Sequence, residues 1–519
     1  MGNHSSQPGK PGLQKLRDLV AELGRRHGNG TRRGKGNEPI VLVPGFSSFG
    51  EPLFGSFNYW GGFEDLALEL QQHTRVPVIL PRIGPFSSNW ERACELYCQL
   101  RNIQSNPPLI PFSPVAGFDI RGSPPTNIAV DYGTYIPTLT PNTHFTKQAV
   151  VLGKLPPTWQ WGEACPVHMI CHSQGGNTVR LLLELLSGRH GLLNSAYFSR
   201  GLGDRQDWVR SVVTLGTPYL GTTITGVIFD DILRDVQVDE LISRLVVSAC
   251  LNPTRFVDLQ LGHWGFTRNP GESFLGMHNR LRNGIHNWWR SDYNAVKDNG
   301  VPGIARLNNQ FSPGASIRTY YFTMSFDATT PLPRQYLTGI DLESVPVHPL
   351  LRLAYPGPYG VTARIVSSLF SLGRDALSFI PGNPSDLSYA RWAVGVINNH
   401  VRTLGYQLRI PSPGERIPRP DMLPALSIFS AGMSGVDTFG PQNDGVVDTA
   451  SMRGPENAII RDSDQFDRDS IGNNRGVYWD LGVTEGIDHA DQVGVFTDAV
   501  MYGQVREMYQ LLGDLVSFL

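Results

Sequence analysis

The sequence predicts an α/β protein in which helices cover both faces of a mainly parallel sheet. Short runs of apolar, often β-branched residues recur along the chain, and segments with helical spacing of apolar residues lie between them. Because these runs are apolar throughout, they are typical of strands that are buried on both faces. The 519 residues, of which 40% are hydrophobic, are ample for such a sheet with a large core.

The predicted elements follow one another in order from residue 39 onwards. The first strand covers residues 39–43 and ends at Pro44-Gly45, a pair that interrupts regular structure. Further strands are predicted over residues 76–80, 167–171, 211–215, 319–326 and 477–483. Helices are predicted over residues 89–101, 174–186 and 498–519, the last of which is amphipathic.

Two stretches do not fit this alternation and are predicted to be insertions that lie over the sheet. Residues 224–251 place apolar side chains at helical steps but are not followed by a strand. Residues 330–425 contain many prolines and one apolar, helix-like piece at residues 361–377. Residues 1–37, rich in Gly, Arg and Ser, are predicted to form a flexible basic tail, so that residues 38–519 make up one folded domain.

Composition argues against several partners and locations. The formal net charge of -2 provides no basic face for phosphates, so nucleic acid is not expected as a partner. The chain has no run of about 18 apolar residues and no apolar stretch at its N-terminus, so neither a membrane-spanning helix nor a signal peptide is expected. Cysteines without a CxxC pair are interpreted as free, mostly buried thiols, and they favour an intracellular, reducing compartment.

The N-terminus matches the M-G-x-x-x-[ST] pattern for N-myristoylation, with Gly2 and Ser6 in the required places. Basic residues follow: Lys10, Lys15, Arg17, Arg25, Arg26, Arg32, Arg33 and Lys35. One acyl chain plus a basic segment is the two-signal arrangement for attachment to a membrane surface. The alternative is a solvated tail that matches a short pattern by chance, and the sequence leaves both open.

The strongest chemical signal is the segment VHMICHSQGG at residues 167–176. A strand runs into a sharp turn at Ser173, and small residues follow at the start of a helix, which is the context of a nucleophile elbow. Cys171 replaces the first glycine of the G-x-S-x-G pattern and is still small. The helix that begins at Gln174 directs its free N–H groups towards Ser173, which favours negative charge there. This combination predicts the α/β-hydrolase fold with Ser173 as its nucleophile.

A serine hydroxyl needs a base to take its proton and an acid to orient that base, and in this fold the chain order is Ser, acid, His. Asp444, in NDGVV, and His489, in GIDHAD, lie in late loops that suit these roles. The alternative for Asp444 is an ordinary residue of an Asp-Gly turn, and the alternative for His489 is an ordinary histidine at the start of a helix. The oxyanion needs two N–H donors, and the main chains of Phe46 and Gln174 are predicted to supply them. A simple strand-ending turn is the alternative for the loop that contains Phe46.

Eight blocks occur in order between residue 39 and about residue 500: PIVLVPGFSSFG, FNYWGGFEDL, GPFSSNWERACELYCQL, HMICHSQGGNTVRLL, VTLGTPYLGTT, WGFTRNPGESF, PQNDGVVDTASMRGP and GIDHADQVGV. Together they resemble the thermoalkalophilic true lipases of the Bacillus and staphylococcal type. The resemblance is weak or absent in residues 1–37 and in much of residues 330–425, where the chain carries a cap insertion of its own. Residues 224–251 fall where the family has a helical lid.

This resemblance implies a role for each predicted site residue. Ser173, Asp444 and His489 fall on the family's nucleophile, acid and base, and the main-chain N–H groups of Phe46 and Gln174 fall on its oxyanion donors. The family usually has His-Gly before its oxyanion residue, where this chain has Pro-Gly. Because the donor is a backbone group, this change is expected to be tolerated. No cofactor is required for this chemistry.

The family also has a structural zinc site of two Asp and two His, and a calcium site beside the catalytic His. Asp65 resembles one zinc ligand and His144 another, but the second His is missing, and glycine occupies the second Asp position, beside His263 as a substitute candidate. Asp491 resembles one calcium ligand, but Phe496 stands where another carboxylate is expected. Neither metal is therefore predicted.

The favoured hypothesis is a lipase that cleaves acylglycerol-type lipid esters through an acyl-enzyme on Ser173. An apolar lid and a large cap favour a long acyl chain, because such substrates need a groove that excludes water. An esterase, a phospholipase or an acyltransferase on the same triad is an alternative. A second alternative is a catalytically silent α/β-hydrolase that binds a lipid or a partner protein, although the complete candidate triad argues against it. A third alternative is a scaffold at a membrane surface.

Overall fold

A central sheet of eight strands organises the computed structural model, which describes residues 12–28, 38–48, 57–103, 115–116, 129–130, 149–188, 203–232, 238–249, 259, 261, 264–266, 268–310, 316–331, 414–419, 422 and 424–519. The strands in this part of the chain are β1 (Ile40–Val43), β2 (Val78–Leu80), β3 (Val115–Ala116), β4 (Ala129–Val130), β5 (Val150–Leu152), β6 (Val167–His172), β7 (Val209–Leu215), β8 (Tyr320–Asp327), β9 (Thr329–Pro331), β10 (Arg416–Pro418), β11 (Ile460–Asp462) and β12 (Tyr478–Glu485).

The helices in the same residues surround this sheet. They are α1 (Gly12–His27), α2 (Leu66–Thr74), α3 (Asn89–Asn102), α4 (Gln174–Leu186), α5 (Ile224–Gly226), α6 (Val238–Ala249), α7 (Phe274–Arg290), α8 (Ala295–Asn299), α9 (Val301–Gln310), α10 (Pro424–Met433) and α11 (Ala499–Ser517). A π-helical segment (Val227–Ile232) continues α5, and short 3-10 helices cover Gln206–Trp208, Thr449–Met452, Ser463–Gln465, Ile471–Asn474 and Asp491–Val493.

The sheet has the strand order β11-β12-β8-β7-β6-β1-β2-β5. Neighbouring strands are parallel, except for the edge pair of β2 and β5. The predicted mainly parallel sheet is therefore confirmed. In the register, Val43 pairs with Cys171 and His172 pairs with Leu215, so the carboxyl ends of β1, β6 and β7 meet at one edge.

The central strands are buried on both faces because helices cover each side. Along β1, Val41 and Val43 pack into one core together with α3 and α4, whereas Ile40 and Leu42 pack into a second core with α1, α2 and α11. This alternation follows from the two-residue period of a strand. All residues of β1 and β6 are buried, and β1 is accordingly apolar throughout, whereas β6 also buries His168 and His172.

The six strands and three helices predicted for the sheet and its cover are present, with bounds that differ by at most a few residues, whereas the helix-like piece at residues 361–377 lies outside the described residues. The edge strands β5 and β11 were not predicted. Each has three residues, and none of these six is buried, so neither strand carries a strong apolar signal.

The prediction of a flexible tail over residues 1–37 is wrong for residues 12–27. These residues form α1, which packs against β12 and α11. Leu16 and Leu23 on its inner face are completely buried. The apolar residues occur at helical spacing, but the many Gly and Arg residues around them concealed this signal when the segment was judged by composition.

Several basic residues that were predicted to attract a membrane surface are paired within the protein. Lys15 Nζ lies 2.5 Å from Asp462 Oδ2, and Arg17 Nε lies 2.7 Å from Glu507 Oε1. Arg26 pairs with Glu22 and Asp469. These residues help to hold α1 against the domain, whereas Gly2 lies outside the described residues and its acylation stays a prediction.

The two predicted insertions are described to different extents. In residues 224–251, α5, its π-helical continuation and α6 are helical as predicted, and α6 packs on α7. Residues 332–413 of the predicted cap lie outside the described residues, and at their two ends β9 pairs with β10. None of the described helices is long and apolar enough to span a bilayer. Cys94, Cys98, Cys165 and Cys171 are not in disulfide bonds, and Cys250 lies outside the described residues.

Replacing Leu16 by Ala is expected to destabilise the protein by about 2–5 kcal/mol, because the fully buried side chain would leave a cavity between α1 and the sheet. The measurement is the free energy of unfolding from denaturant titration. Arg25→Ala, on the exposed side of the same helix, is the control and should change it by about 0.5 kcal/mol or less. Equal effects of the two changes would contradict the docked position of α1.

Candidate active site

Ser173 occupies a strained turn between β6 and α4. Its backbone has a φ of 55° and a ψ of -129°, in a region that residues other than glycine rarely adopt. Three hydrogen bonds hold the turn. The Ser173 N–H donates to Leu215 O at 2.8 Å, and Ser173 O accepts from Thr217 Oγ1 at 2.8 Å and from the Gly176 N–H at 3.1 Å. This sharp turn between a strand and a helix has the backbone geometry that the sequence predicted for a nucleophile elbow.

Two glycines let the backbone pass close to this turn. A Cβ atom at Gly45 would lie 2.7 Å from Ser173 Cβ, and one at Gly175 would lie 2.5 Å from Val43 O. Neither position has room for a side chain. The loop after β1 and the start of α4 can therefore approach Ser173 only because these residues are glycine.

His489 and Asp444 are joined by a hydrogen bond between His489 Nδ1 and Asp444 Oδ2 of 2.7 Å, although they are 45 residues apart in the chain. The other carboxylate oxygen of Asp444 accepts from the N–H groups of Val446, at 3.0 Å, and Val447, at 2.8 Å. The His489 N–H donates to Asp444 O at 3.0 Å. With its Nδ1 proton held by the carboxylate, the imidazole keeps Nε2 as a proton acceptor.

His489 lies near Ser173, because its ring contacts that of His172, the residue before Ser173. The two imidazole ring centres lie 4.5 Å apart. The structure thus brings the three predicted residues Ser173, Asp444 and His489 to the carboxyl edge of the sheet. Their catalytic roles remain predictions.

Three further polar residues near this group were missed in the sequence. Gln492 Nε2 donates to Asp444 Oδ2 at 2.7 Å, and the Tyr59 hydroxyl lies 2.7 Å from His172 Nδ1. Burial holds the pKa of His172 well below its ordinary value, and the nearby His489 lowers it further. Gln492 follows His489 by three residues into a 3-10 turn, and this spacing was the signal available.

The loop after β1 is held from below by a buried arginine. The Arg92 guanidinium donates to Pro44 O, to Gly45 O at 3.3 Å and to Gly84 O at 2.8 Å. Because the C=O and N–H of a trans peptide point in opposite directions, holding Gly45 O turns the Phe46 N–H away from Arg92. Burial lowers the pKa of Arg92 to about 10, so the group stays charged at neutral pH.

The other predicted oxyanion donor is the first residue of α4. The Gln174 N–H lies at a helix N-terminus, where free N–H groups and the helix dipole favour an anion. Its side chain is engaged elsewhere, since Gln174 Nε2 donates to Ser87 O at 3.1 Å. Gln174 therefore has its main chain, rather than its amide, available for the oxyanion.

An apolar cavity of about 640 Å³ adjoins these residues. Its walls include Ser173, Gln174 and Phe46. The remaining walls are mainly apolar side chains from α5, its π-helical continuation, α6 and the end of α7: Ile224, Ile228, Phe229, Leu241, Ile242, Leu245, Val246, Trp288 and Trp289.

Hydrogen bonds join the residues just before α5 to the loop that contains Asp444. The Asp448 carboxylate accepts from the Thr223 N–H at 2.9 Å and from Thr223 Oγ1 at 2.8 Å, and Thr222 Oγ1 donates to Val446 O. Burial raises the pKa of Asp448 to about 6, although these hydrogen bonds act against the rise. The start of α5 and the acid loop are thus one hydrogen-bonded unit.

The residues that resemble the family's metal ligands have other partners or lie outside the described residues. Asp65 caps α2 by accepting from the Leu68 N–H at 2.9 Å, and His144 and His263 are not described. Asp491 Oδ2 accepts from the Asp488 N–H at 3.2 Å. Across the described part of the chain, no group of three or more His, Cys, Asp or Glu side chains comes together in a form that would hold a metal ion.

Comparison with known proteins points to bacterial lipases. A family model described as "Lipase-like, C-terminal domain" matches residues 130–338. A lipase from Staphylococcus epidermidis is 27% identical over 300 residues, which cover 55% of this chain and 38% of that protein. Lipase 1 from Staphylococcus aureus is 28% identical over 301 residues, again covering 55% of this chain and 38% of the relative. The matched region is thus less than half the length of these relatives.

Solved structures are similar over most of the chain. EstA from Clostridium botulinum has a TM-score of 0.56 and 21% identity, and the match covers 99% of both chains. The lipase of Staphylococcus hyicus has a TM-score of 0.55 and 20% identity, covering 93% of this chain and 96% of that chain. The α/β-hydrolase fold and the resemblance to bacterial lipases, both predicted from the sequence, are confirmed.

Changing Asp444 to Asn is expected to lower the rate at which a fluorophosphonate probe labels Ser173 by about a thousandfold or more. The amide would present an N–H to His489 Nδ1 and favour the wrong imidazole tautomer. The labelling rate reports activation of the serine without any assumption about substrate. Asp437→Asn, the same change at an exposed position seven residues earlier, should label like the wild type. Similar labelling rates for the two variants would refute the role of Asp444.

Proposed function

We propose that this protein is a carboxylic ester hydrolase of the lipase type, which acts on esters of long acyl chains through an acyl-enzyme on Ser173. The observation that carries the proposal is the apolar cavity of about 640 Å³ whose walls include Ser173, beside a hydrogen-bonded His489–Asp444 pair. The names of the similar proteins, lipases and an esterase called EstA, support it.

In the first half of the proposed reaction, Ser173 Oγ attacks the ester carbonyl carbon while His489 Nε2 takes the hydroxyl proton. The carbonyl oxygen becomes an oxyanion, which the N–H groups of Phe46 and Gln174 receive. When the tetrahedral intermediate collapses, the bond to the alcohol oxygen breaks and His489 returns the proton to the leaving alcohol. An acyl group remains on Ser173.

In the second half, water takes the place of the alcohol. His489 removes a proton from the water, whose oxygen attacks the acyl carbon, and the same two N–H groups hold the second oxyanion. Collapse releases the carboxylic acid, and the proton goes back to Ser173 Oγ. Asp444 keeps the imidazole oriented and stabilises its charged form throughout.

The choice of substrate rests on the cavity rather than on the triad. Its mainly apolar walls suit an alkyl chain, because burying apolar surface is favourable by about 25 cal/mol per Å². Part of the wall comes from α5 and α6, where the similar lipases are expected to have a lid. Phospholipid hydrolysis and acyl transfer use the same acyl-enzyme, so the leaving group and the acceptor distinguish them from simple ester hydrolysis.

The proposal predicts that hydrolysis of p-nitrophenyl esters rises with acyl length from acetate to palmitate, and that Ser173→Ala abolishes it. The reason is that the acyl group needs both the nucleophile and the apolar cavity. Ser187→Ala, which removes a buried hydroxyl at the other end of α4, is the control and should retain activity. Turnover of short esters alone would reduce the lipase to an esterase, and a folded protein without turnover would refute the proposal.

A bulkier side chain within the cavity is expected to select against long acyl chains. Leu245 lies in the wall contributed by α6, and Leu245→Trp would fill part of the space. The expected result is a fall of about tenfold or more in kcat/KM for the palmitate ester. The acetate ester, hydrolysed by the same variant, is the internal control and should be little affected. Parallel losses for both esters would argue against this cavity as the acyl site.

A further inference from the structure

A series of buried polar groups begins at the loop after β1 and plays no part in the proposed chemistry. The Gly45 N–H donates to the Tyr59 hydroxyl oxygen at 2.8 Å. The same hydroxyl lies 2.7 Å from His172 Nδ1. Tyr59 thus links the oxyanion loop to the residue that precedes the nucleophile.

A second series begins at the acid and approaches His172 from the other side. Gln492 Nε2 donates at 2.7 Å to Asp444 Oδ2, the oxygen that also holds His489 Nδ1. Gln492 is completely buried and His172 is 3% exposed. Bulk water is therefore unable to hydrogen-bond to either side chain.

Among the described residues, each series ends in one buried atom without a hydrogen bond in good geometry, His172 Nε2 in the first and Gln492 Oε1 in the second. A protonated imidazole nitrogen could donate to an amide oxygen. The two side chains are nevertheless neighbours, because a Cβ atom at Gly216 would lie 2.3 Å from Gln492 Oε1, and Gly216 follows Leu215, the register partner of His172 on β7. The Gln492 side chain and the His489 main chain also raise the pKa of His172, against the larger effect of burial. Groups with this effect on an imidazole are acceptors.

Counting donors determines where the proton of His172 lies. A neutral imidazole carries one N–H. Because Gln492 presents its N–H to the carboxylate of Asp444, its oxygen is left for His172, and an oxygen requires a donor opposite it. The arrangement that satisfies both buried atoms has the proton on Nε2, with Nδ1 accepting from the hydroxyl of Tyr59, whose oxygen already accepts from Gly45.

We propose that Tyr59, His172 and Gln492 form one positioning unit, which couples the oxyanion loop at Gly45 to the acid Asp444 through the neutral imidazole of His172. The inference rests on the proposed function. With a hydrogen bond proposed from the His172 Nε2–H to Gln492 Oε1, every bond in the unit has the same direction, from the Gly45 N–H towards the carboxylate, so each bond polarises the next. None of the three side chains is assigned contact with the substrate.

The unit has a consequence for the base. His172 supports the ring of His489, whose centre is 4.5 Å away. If either Tyr59 or Gln492 loses its polar group, His172 keeps one buried nitrogen without a partner and its ring orientation is no longer determined from both sides. A small displacement of His489 is sufficient to slow proton transfer, because the reacting atoms must stay within hydrogen-bonding reach.

The experiment is a double-mutant cycle of Tyr59→Phe and Gln492→Leu, measured as kcat and KM for p-nitrophenyl ester hydrolysis. Each single change is expected to lower kcat by about ten- to a hundredfold and to change KM by about twofold or less. Because both act through His172, the double variant should lose less than the product of the two single losses, by about threefold or more. Losses that multiply would overturn the coupling.

The matched control is Tyr321→Phe. Tyr321 is also a buried tyrosine whose hydroxyl accepts a backbone N–H, that of Ser316 at 3.0 Å, but it belongs to the core around α3 and α4. It should keep the wild-type kcat even if the melting temperature falls. An equal loss of kcat in Tyr321→Phe would mean that the effect of Tyr59→Phe is a general loss of packing, and would overturn the proposal.

A second measurement uses the wild-type protein and does not depend on turnover. Nitrogen-15 chemical shifts of labelled histidines, assigned with a His172→Gln variant, are expected to show His172 as the neutral Nε2–H tautomer at neutral pH. A proton on Nδ1 would overturn the unit. If this tautomer is found in a protein that hydrolyses no ester, the proposed function is refuted but the arrangement of the unit is not. If the protein hydrolyses esters and the kcat losses of the two single variants multiply, the unit is refuted but the proposed function is not.

Discussion

The site depends on one constrained turn. Ser173 has a left-handed backbone, with a φ of 55°, that an isolated chain would avoid. It persists because the Ser173 N–H donates to the carbonyl of Leu215 at the end of β7, and because the Thr217 hydroxyl donates to the carbonyl of Ser173. Glycine at positions 45 and 175 allows the neighbouring backbone to come close. A parallel sheet with its strand ends in register is the scaffold that supplies these groups together.

Around this turn, buried polar groups hold the backbone of the loop after β1 and the carboxylate of Asp444 in position. Arg92 binds the carbonyls of Pro44 and Gly45, which turns the Phe46 N–H in the opposite direction. Asp444 receives two backbone N–H groups in addition to His489. Since unpaired polar groups are costly in the interior, these bonds determine local geometry as much as they stabilise it. The apolar cavity adjoins this network at Phe46, Ser173 and Gln174, which form part of its wall.

How far the sequence could predict the structure is seen best at α1 and at the site. The segment 39–43 and the elbow were predicted correctly because their signals are local: an apolar run and a serine between a strand and a helix. The helix α1 was missed because its apolar stripe lies between Gly- and Arg-rich stretches, and only contact with β12 and α11 gives those leucines a place in the core.

By itself, the sequence determined the strand–helix alternation, the elbow and candidate triad residues in their chain order, because these depend on short-range periodicity and residue type. The tertiary structure alone decided which late Asp and His meet, since 45 residues separate Asp444 from His489. It also placed Tyr59 against His172, the residue before Ser173, and Gln492 against Asp444. Such partners are chosen by how strands and loops pack in three dimensions, and no local pattern in the chain records that choice.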